Sequence, residues 1–534
     1  VLESRSVLEP CRLGEIVLTS RMTSRRSFLQ AACAAGLGRL ALPHPVRAGQ
    51  DEGASAASPD PDIRAANIVF DDLFLAEPAV FRPTAQGCTL HWLPRVRIEA
   101  RTLIGPTPEC LDLLDQRTTA QPTSVVIDDF GPGEPCFWQG QFRRPGEPTW
   151  KQTPVREVRT ARLPGSSFRV ALVADSHQYA MGAYPGSAEN LARTITMVQN
   201  DRPDFVVFLG DEAGTKQGKA GKRLMGQARA MDAWAKWRRL MAPLLAATPS
   251  YLVLGNHDGE AGFHQHFSIK GNIAYYQRWS TVARKHYLLN PSFDTYPEGG
   301  ENAGWPGDPQ DPATGEGPLG NRSPLENYFA WSWGDALFVV LDVHRYTRMG
   351  QDPPTRVEDW TLGPDQFAWF ESVLTSSPAR WKFVMTHHLV GGYNYNSTGN
   401  GGLRGYRYGR GGAKYACVGE QAVITELMKR TGAQFFLYGH DHVFAHQQAH
   451  GVNFVCCGRP TWLSTSWWGN PGWREAYGDV ETQPRGFYAA IGYVRLDISP
   501  TEVRLQYVCS GTDPRGAENV TVPVGGVVSE VVVT

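Results

Sequence analysis

Five short clusters of Asp, Asn and His are the residues of this chain whose types and spacing could do chemistry. They are Asp175-Ser176-His177, Gly210-Asp211, Gly255-Asn256-His257-Asp258, His387-His388 and Gly439-His440-Asp441-His442. Carboxylate and amide oxygens with imidazole nitrogens, and no thiolate, suit two divalent or trivalent metal ions. A carboxylate such as Asp211 can bridge such a pair. In two-metal sites the ions sit roughly 3.5–4 Å apart and clamp the attacking and leaving oxygens of an in-line displacement. They also acidify a water into a nucleophile near neutral pH.

Ligands this far apart in sequence must be brought together by the elements that carry them. Each cluster follows an apolar run, at residues 168–174, 205–209, 251–254, 382–385 and 435–438. A further run at 336–341 ends at Asp342. Amphipathic helices are expected at 187–200, 223–245, 364–374 and 420–430, between these runs. Apolar strands alternating with helices indicate an α/β domain with buried sheets. Strand C-termini converge on one edge of such a sheet, where ligands bind. The glycine before several of the clusters lets the backbone turn tightly. Residues 63–163 have a different texture, of short strands between turns with Cys88, Leu90 and Trp92 on one face. This predicts a β-sandwich of about 100 residues.

In this order, D-x-H, G-D-x-x-G, G-N-H-D, a later His and G-H-x-H resemble the calcineurin-like metallophosphoesterase superfamily. Upstream, Pro83-Thr84-x-x-Gly87-x-Thr89-x-x-Trp92 resembles the fibronectin-type N-terminal domain of purple acid phosphatases. The resemblance implies an α/β catalytic domain over 164–534, with two packed β-sheets flanked by helices, preceded by a small all-β sandwich over 63–163. It implies a phosphoric ester hydrolase using two metal ions (Fe, Mn, Zn or similar) and a metal-activated hydroxide. Asp175, His177 and His442 would hold the first ion, Asp211 would bridge, and Asn256, His387 and His440 would hold the second. His257 would contact substrate and help to protonate the leaving oxygen, with Asp258 orienting its ring. The sequence departs from the family in two places. His387-His388-Leu389 replaces the common H-x-P, which leaves His388 as an alternative ligand. Gly214 stands where purple acid phosphatases carry a tyrosine whose phenolate binds ferric iron.

Other residues have weaker signals. Arg404, Arg407 and Arg410 lie in a glycine-rich loop and are either solvated or phosphate-binding, since guanidinium pairs well with phosphate oxygens. Asp342 and His344 are expected to support the site from behind or to serve the structure alone, and His446 and His450 to pack or lie at the surface. Trp462, Trp467, Trp468 and Trp473 either line a cleft or fill the core.

The N-terminus reads Ser24-Arg25-Arg26-Ser27-Phe28-Leu29, then a weakly apolar stretch, then Val46-Arg47-Ala48. This resembles a bacterial twin-arginine signal over 1–48, with 49–62 as linker. Met22 just before the motif reads as a start, with residues 1–21 upstream of it. The expectation is a periplasmic or secreted protein, with the twin-arginine export machinery as partner and a phosphate ester as substrate. A net charge of −1 over 534 residues gives no nucleic-acid footprint. No apolar run approaches the roughly 20 residues that span a bilayer. Of nine cysteines, none forms a C-x-x-C pair, so no zinc ribbon is expected. One or two disulfides of unassigned pairing are open. The competing class is a surface-polymer-binding protein with a vestigial metal site, and metal-dependent turnover of a chromogenic ester separates the two.

Overall fold

Eight strands open the described chain: β1 (Phe74–Phe81), β2 (Cys88–Pro94), β3 (Ile98–Thr107), β4 (Cys110–Thr119), β5 (Thr123–Ile127), β6 (Pro135–Arg143), β7 (Lys151–Gln152) and β8 (Arg156–Arg159). β1, β2 and β5 form one layer, and β4-β3-β6-β7, with β8 on β6, forms the other. Leu90, Trp92, Ile98, Ala100, Val125, Trp138 and Phe142 pack between them as a core. This is the small sandwich. The computed structural model describes residues 72–128, 130–214, 227–260, 273–302, 325–344, 361–389, 420–463, 486–516 and 520–534. The twin-arginine region, the linker and Arg404, Arg407 and Arg410 lie outside them, as do Trp467, Trp468 and Trp473.

The α/β region is built on two sheets. One contains β9 (Phe168–Val173), β10 (Phe205–Phe208), β11 (Ser250–Leu252), β19 (Ile491–Ile498), β20 (Val503–Gly511) and β21 (Val527–Val533). Its order is β21-β20-β19-β9-β10-β11, and it continues through β1 into β2 and β5. The sandwich therefore shares a sheet with the α/β region, through a parallel pairing at Phe81 and Ser250. The second sheet contains β12 (Phe329–Trp333), β13 (Ala336–Val340), β14 (Trp381–Met385), β15 (Phe435–Tyr438), β16 (Phe444–Ala449), β17 (Val452–Cys457) and β18 (Gly486–Tyr488). Its order is β12-β13-β14-β15-β17-β16-β18.

The unbroken apolar runs follow from burial on both faces. In β10, Phe205 and Val207 face the layer between the sheets. Val206 and Phe208 face the helices outside. In β15, Phe435 and Leu437 point inward, while Phe436 and Tyr438 meet the outer helices of the second sheet. The helices Ser187–Asp201, Pro364–Ser376 and Gln421–Thr431 lie within two residues of the expected bounds. The expected helix 223–245 is described as Gln227–Leu240 followed by a short turn, Ala242–Leu245, with Pro243 in its first turn. Helix Ile273–Tyr287 was not anticipated.

Cys88, Cys136, Cys456 and Cys457 are free and buried, Cys509 is buried, and Cys110 is disulfide-bonded. Among the described residues, no helix is long and apolar enough to cross a membrane.

Candidate metal centre

The ends of β9, β10, β11, β14 and β15 lie on one edge of the two sheets, and each delivers one of the five clusters. Backbone geometry at the cluster residues is unusual. Asp175, His177, Asp211, His440 and His442 all have left-handed φ, between 44° and 70°. Non-glycine residues rarely adopt this region, and strain of this kind concentrates at functional sites. The ligand candidates themselves, more than the glycines beside them, thus take the sharp turns. Gly210 shares this conformation, at φ 94°, but it is also crowded: a Cβ there would meet the backbone of Gly255 at 2.6 Å and the His387 ring at 2.7 Å.

Two groups of donor atoms result. Asp175, His177, Asp211 and His442 form one, and Asp211, His387 and His440 form the other, with the atoms of each group within 4.8 Å of one another. Asp211 belongs to both. Its Oδ2 lies 3.5 Å from Nε2 of His177 and 3.2 Å from Nε2 of His387. Asn256 Oδ1 is 3.1 Å from the same His387 nitrogen. All seven expected ligands are therefore brought together. His388 is in neither group, and its Nδ1 is bonded to the carbonyl of Leu389.

The cluster fits a cation. Asp175 Oδ1 is buried without a hydrogen bond, yet it lies 3.4 and 3.3 Å from Nε2 of His177 and His442. An orphaned buried carboxylate oxygen is costly in native proteins unless something satisfies it. Nε2 of His177 and Nε2 of His442 also converge to 3.0 Å, as expected of lone pairs aimed at a common centre. His387 gives its Nδ1 proton to the carbonyl of Leu209 at 2.7 Å, which leaves Nε2 free to donate a lone pair.

Electrostatics agree with this reading. Burial would raise the Asp175 carboxyl, but His442 and the neighbouring histidines hold it well below the usual range. Burial and the Arg459 guanidinium push His442 down to about 4, into the neutral form that ligates. Burial opposes protonation of His387, but the Asp211 charge pushes it up to about 10, so a proton on the Nε2 that faces Asp211 competes with a metal ion for that lone pair. The protein thus attracts positive charge to the point where the two donor groups meet.

His257 lies at the rim. Its Nε2 is 3.8 Å from Asp211 Oδ2, and its backbone N–H donates to Asp211 Oδ1 at 2.6 Å. Asp258 is fully buried and serves the backbone. Its carboxylate accepts the N–H groups of Asp211, Glu212, Ala213 and Gly255 at 2.9–3.0 Å. Burial and the Asp211 charge push its carboxyl up to about 7 against the pull of these amides. The His257 ring meets Tyr179, whose hydroxyl is 2.8 Å from Nδ1.

Asp342 and His344 stand behind the site. Asp342 accepts the His344 N–H at 2.8 Å, and His344 Nε2 meets the Leu254 carbonyl at 3.0 Å. His446 packs against Asn453, at 3.0 Å. Trp462 is buried beside the centre, stacked with Tyr184 at 4.2 Å and with its ring 6.0 Å from that of His177. Sequence reasoning missed Tyr179 and Arg459. The Arg459 guanidinium lies 3.7 Å over Trp462 and 3.2 Å from Nδ1 of His442. The available signals were position alone: Tyr179 follows a cluster by two residues, and Arg459 follows the apolar run of β17.

The family model for calcineurin-like phosphoesterase matches residues 168–444, which hold all five clusters. The chain belongs to the calcineurin-like phosphoesterase family. As a member of this family it is a metal-dependent phosphoesterase. Among solved structures it is similar to PhoD, with a TM-score of 0.60 at 14% identity over 85% of this chain and 93% of that one. It is also similar to the purple acid phosphatase PPD1 from yellow lupin (Lupinus luteus) seeds, with a TM-score of 0.54 at 13% identity over 85% of this chain and 73% of that one. At these identities the likeness is one of fold. No curated protein sequence matches the chain.

Proposed function

We propose that this phosphoesterase hydrolyses phosphate esters at a dinuclear centre in which Asp175, His177 and His442 hold one ion, Asn256, His387 and His440 hold the other, and Asp211 joins them. The observation that carries the reading is the shared position of Asp211 Oδ2 between His177 and His387. Two ions bound there would supply Lewis-acid charge for phosphoryl oxygens and lower the pKa of water. The protein's own groups do the rest. His257 presents Nε2 on the open side and donates to the ester oxygen as the bond breaks. Asp258 fixes the loop carrying Asp211 by holding four amides.

A complete donor set favours an enzyme over a polymer-binding protein with a vestigial site. The proposal also includes phosphate contacts from Arg404, Arg407 and Arg410, a fibronectin-like origin for the sandwich, and export directed by Arg25 and Arg26. The test is a panel of chromogenic monoesters and diesters on metal-reconstituted protein. Chelator-sensitive turnover of either class is expected. Metal binding without turnover of any ester would favour the vestigial reading.

A further inference from the structure

Gly214 and Tyr179 occupy one another's space. Gly214 has a left-handed φ of 64°, and a Cβ there would fall inside the Tyr179 ring. The bare glycine therefore seats an aromatic ring contributed by a different loop. Tyr179 is 41% exposed, and its ring stacks on His257 with ring centroids 5.7 Å apart. Its hydroxyl lies 2.7 Å from Nδ1 of His177 and 2.8 Å from Nδ1 of His257. It is thus on the side of His177 opposite the nitrogen that faces Asp175, away from the converging donor atoms.

We propose that Tyr179 is a positioning residue that transmits metal occupancy at His177 to the tautomer and orientation of His257. The proposal rests on the reading of His177 Nε2 as a metal ligand. A neutral imidazole has one N–H and one lone pair. When Nε2 of His177 gives its lone pair to an ion, Nδ1 must carry the proton and donate it to the Tyr179 oxygen. The hydroxyl then donates to Nδ1 of His257. Neutral His257 is left with its proton on Nε2, the nitrogen facing Asp211 and the open site. Without an ion, His177 can carry its proton on Nε2, and the chain of hydrogen bonds is free to run the other way. The partner of one ring nitrogen selects which nitrogen carries the proton. The ring stacking holds the plane of His257, and the hydroxyl holds its rotation.

The experiment uses the full protein, loaded with zinc (which is diamagnetic) or metal-free, with ¹⁵N-labelled histidine. The His257 signals are identified by their loss in His257→Asn. The proposal expects the Nε2–H tautomer in the zinc form, a different tautomer balance without zinc, and a mixed balance in zinc-loaded Tyr179→Phe. Tyr179→Phe keeps the ring over Gly214, so its fold and zinc content should match the wild type. In turnover of an alkyl phosphate ester it should lose about tenfold in kcat, the worth of one hydrogen bond. In a His257→Asn background the same change should cost nothing, because Tyr179 acts through His257. Equal losses in both backgrounds, or a tautomer unaffected by zinc and by the missing hydroxyl, would overturn the relay while leaving the metal centre intact. A wild-type protein that binds no zinc would overturn the metal reading and the relay together.

Discussion

The carboxylate of Asp258 holds the backbone N–H of Asp211 at 2.9 Å, and so fixes the residue shared by both donor groups. Asp258 is completely buried, and its two oxygens also accept the amides of Glu212, Ala213 and Gly255. Asp258→Asn turns one acceptor into an NH₂ facing N–H donors. The expected cost is on the order of 3 kcal/mol, because a buried donor is left unsatisfied and a charge-assisted network is broken. The thermal midpoint and the bound metal should both fall. A variant that keeps both would show that the carboxylate's grip on this loop is dispensable.

His257 should separate chemistry from metal binding. His257→Asn is expected to keep the metal and the fold while losing roughly 10²–10⁴ in rate, the usual range for general acid–base catalysis. The loss should shrink with esters of good leaving groups, which need no proton. Parallel loss of metal and activity would make His257 a ligand.

Gly214→Ala combines a left-handed φ with a Cβ driven into Tyr179. A non-glycine residue in that region costs roughly 1–2 kcal/mol before any clash, and the Tyr179 ring must also move. The variant should be less stable, and its rate on alkyl esters should fall toward that of Tyr179→Phe. The same geometry concerns colour. Gly214 has no side chain, and the Tyr179 hydroxyl meets the far nitrogen of His177, so among the described residues neither position puts a phenolate among the donor atoms. Iron-loaded wild type should lack a tyrosinate-to-iron charge-transfer band. A strong visible band of that kind would place a tyrosine on the metal.

Much of the scaffold was legible because its signals are local. Runs such as 205–209 are apolar throughout because both faces of β10 are buried, and each run ends in a ligand because the site lies at the sheet edge. The choice of His387 over His388 also came from position after a strand. Relationships across loops were not legible. Nothing in the spacing says that Tyr179 fills the space in front of Gly214, that Arg459 reaches His442, or that Asp258 accepts four backbone amides. The pairing of β1 with β11, which merges the sandwich into the catalytic sheet, is likewise a tertiary fact. Helix Ile273–Tyr287 buries Ser280, Thr281 and Arg284 beside Ala283 and Tyr287, so polar residues interrupt the face that marks it.

Export should depend on the arginine pair. Replacing Arg25 and Arg26 with Lys is expected to leave the enzyme in the cytoplasm of a bacterial host, because a receptor reading guanidinium geometry does not accept ammonium groups equally. The check is activity and protein in periplasmic and cytoplasmic fractions. Unchanged periplasmic activity would remove the localisation proposal.

The centre itself is tested most directly by titrating metal-free protein with zinc or manganese while following turnover of a chromogenic phosphate ester. Two equivalents should bind per chain, and turnover should appear as the second binds, because Asp211 Oδ2 stands between both donor groups. Asp211→Asn loses the charge that holds two cations together, so it should bind less metal and remain inactive. Full turnover with one equivalent, or wild-type rates in Asp211→Asn, would contradict the shared-carboxylate centre.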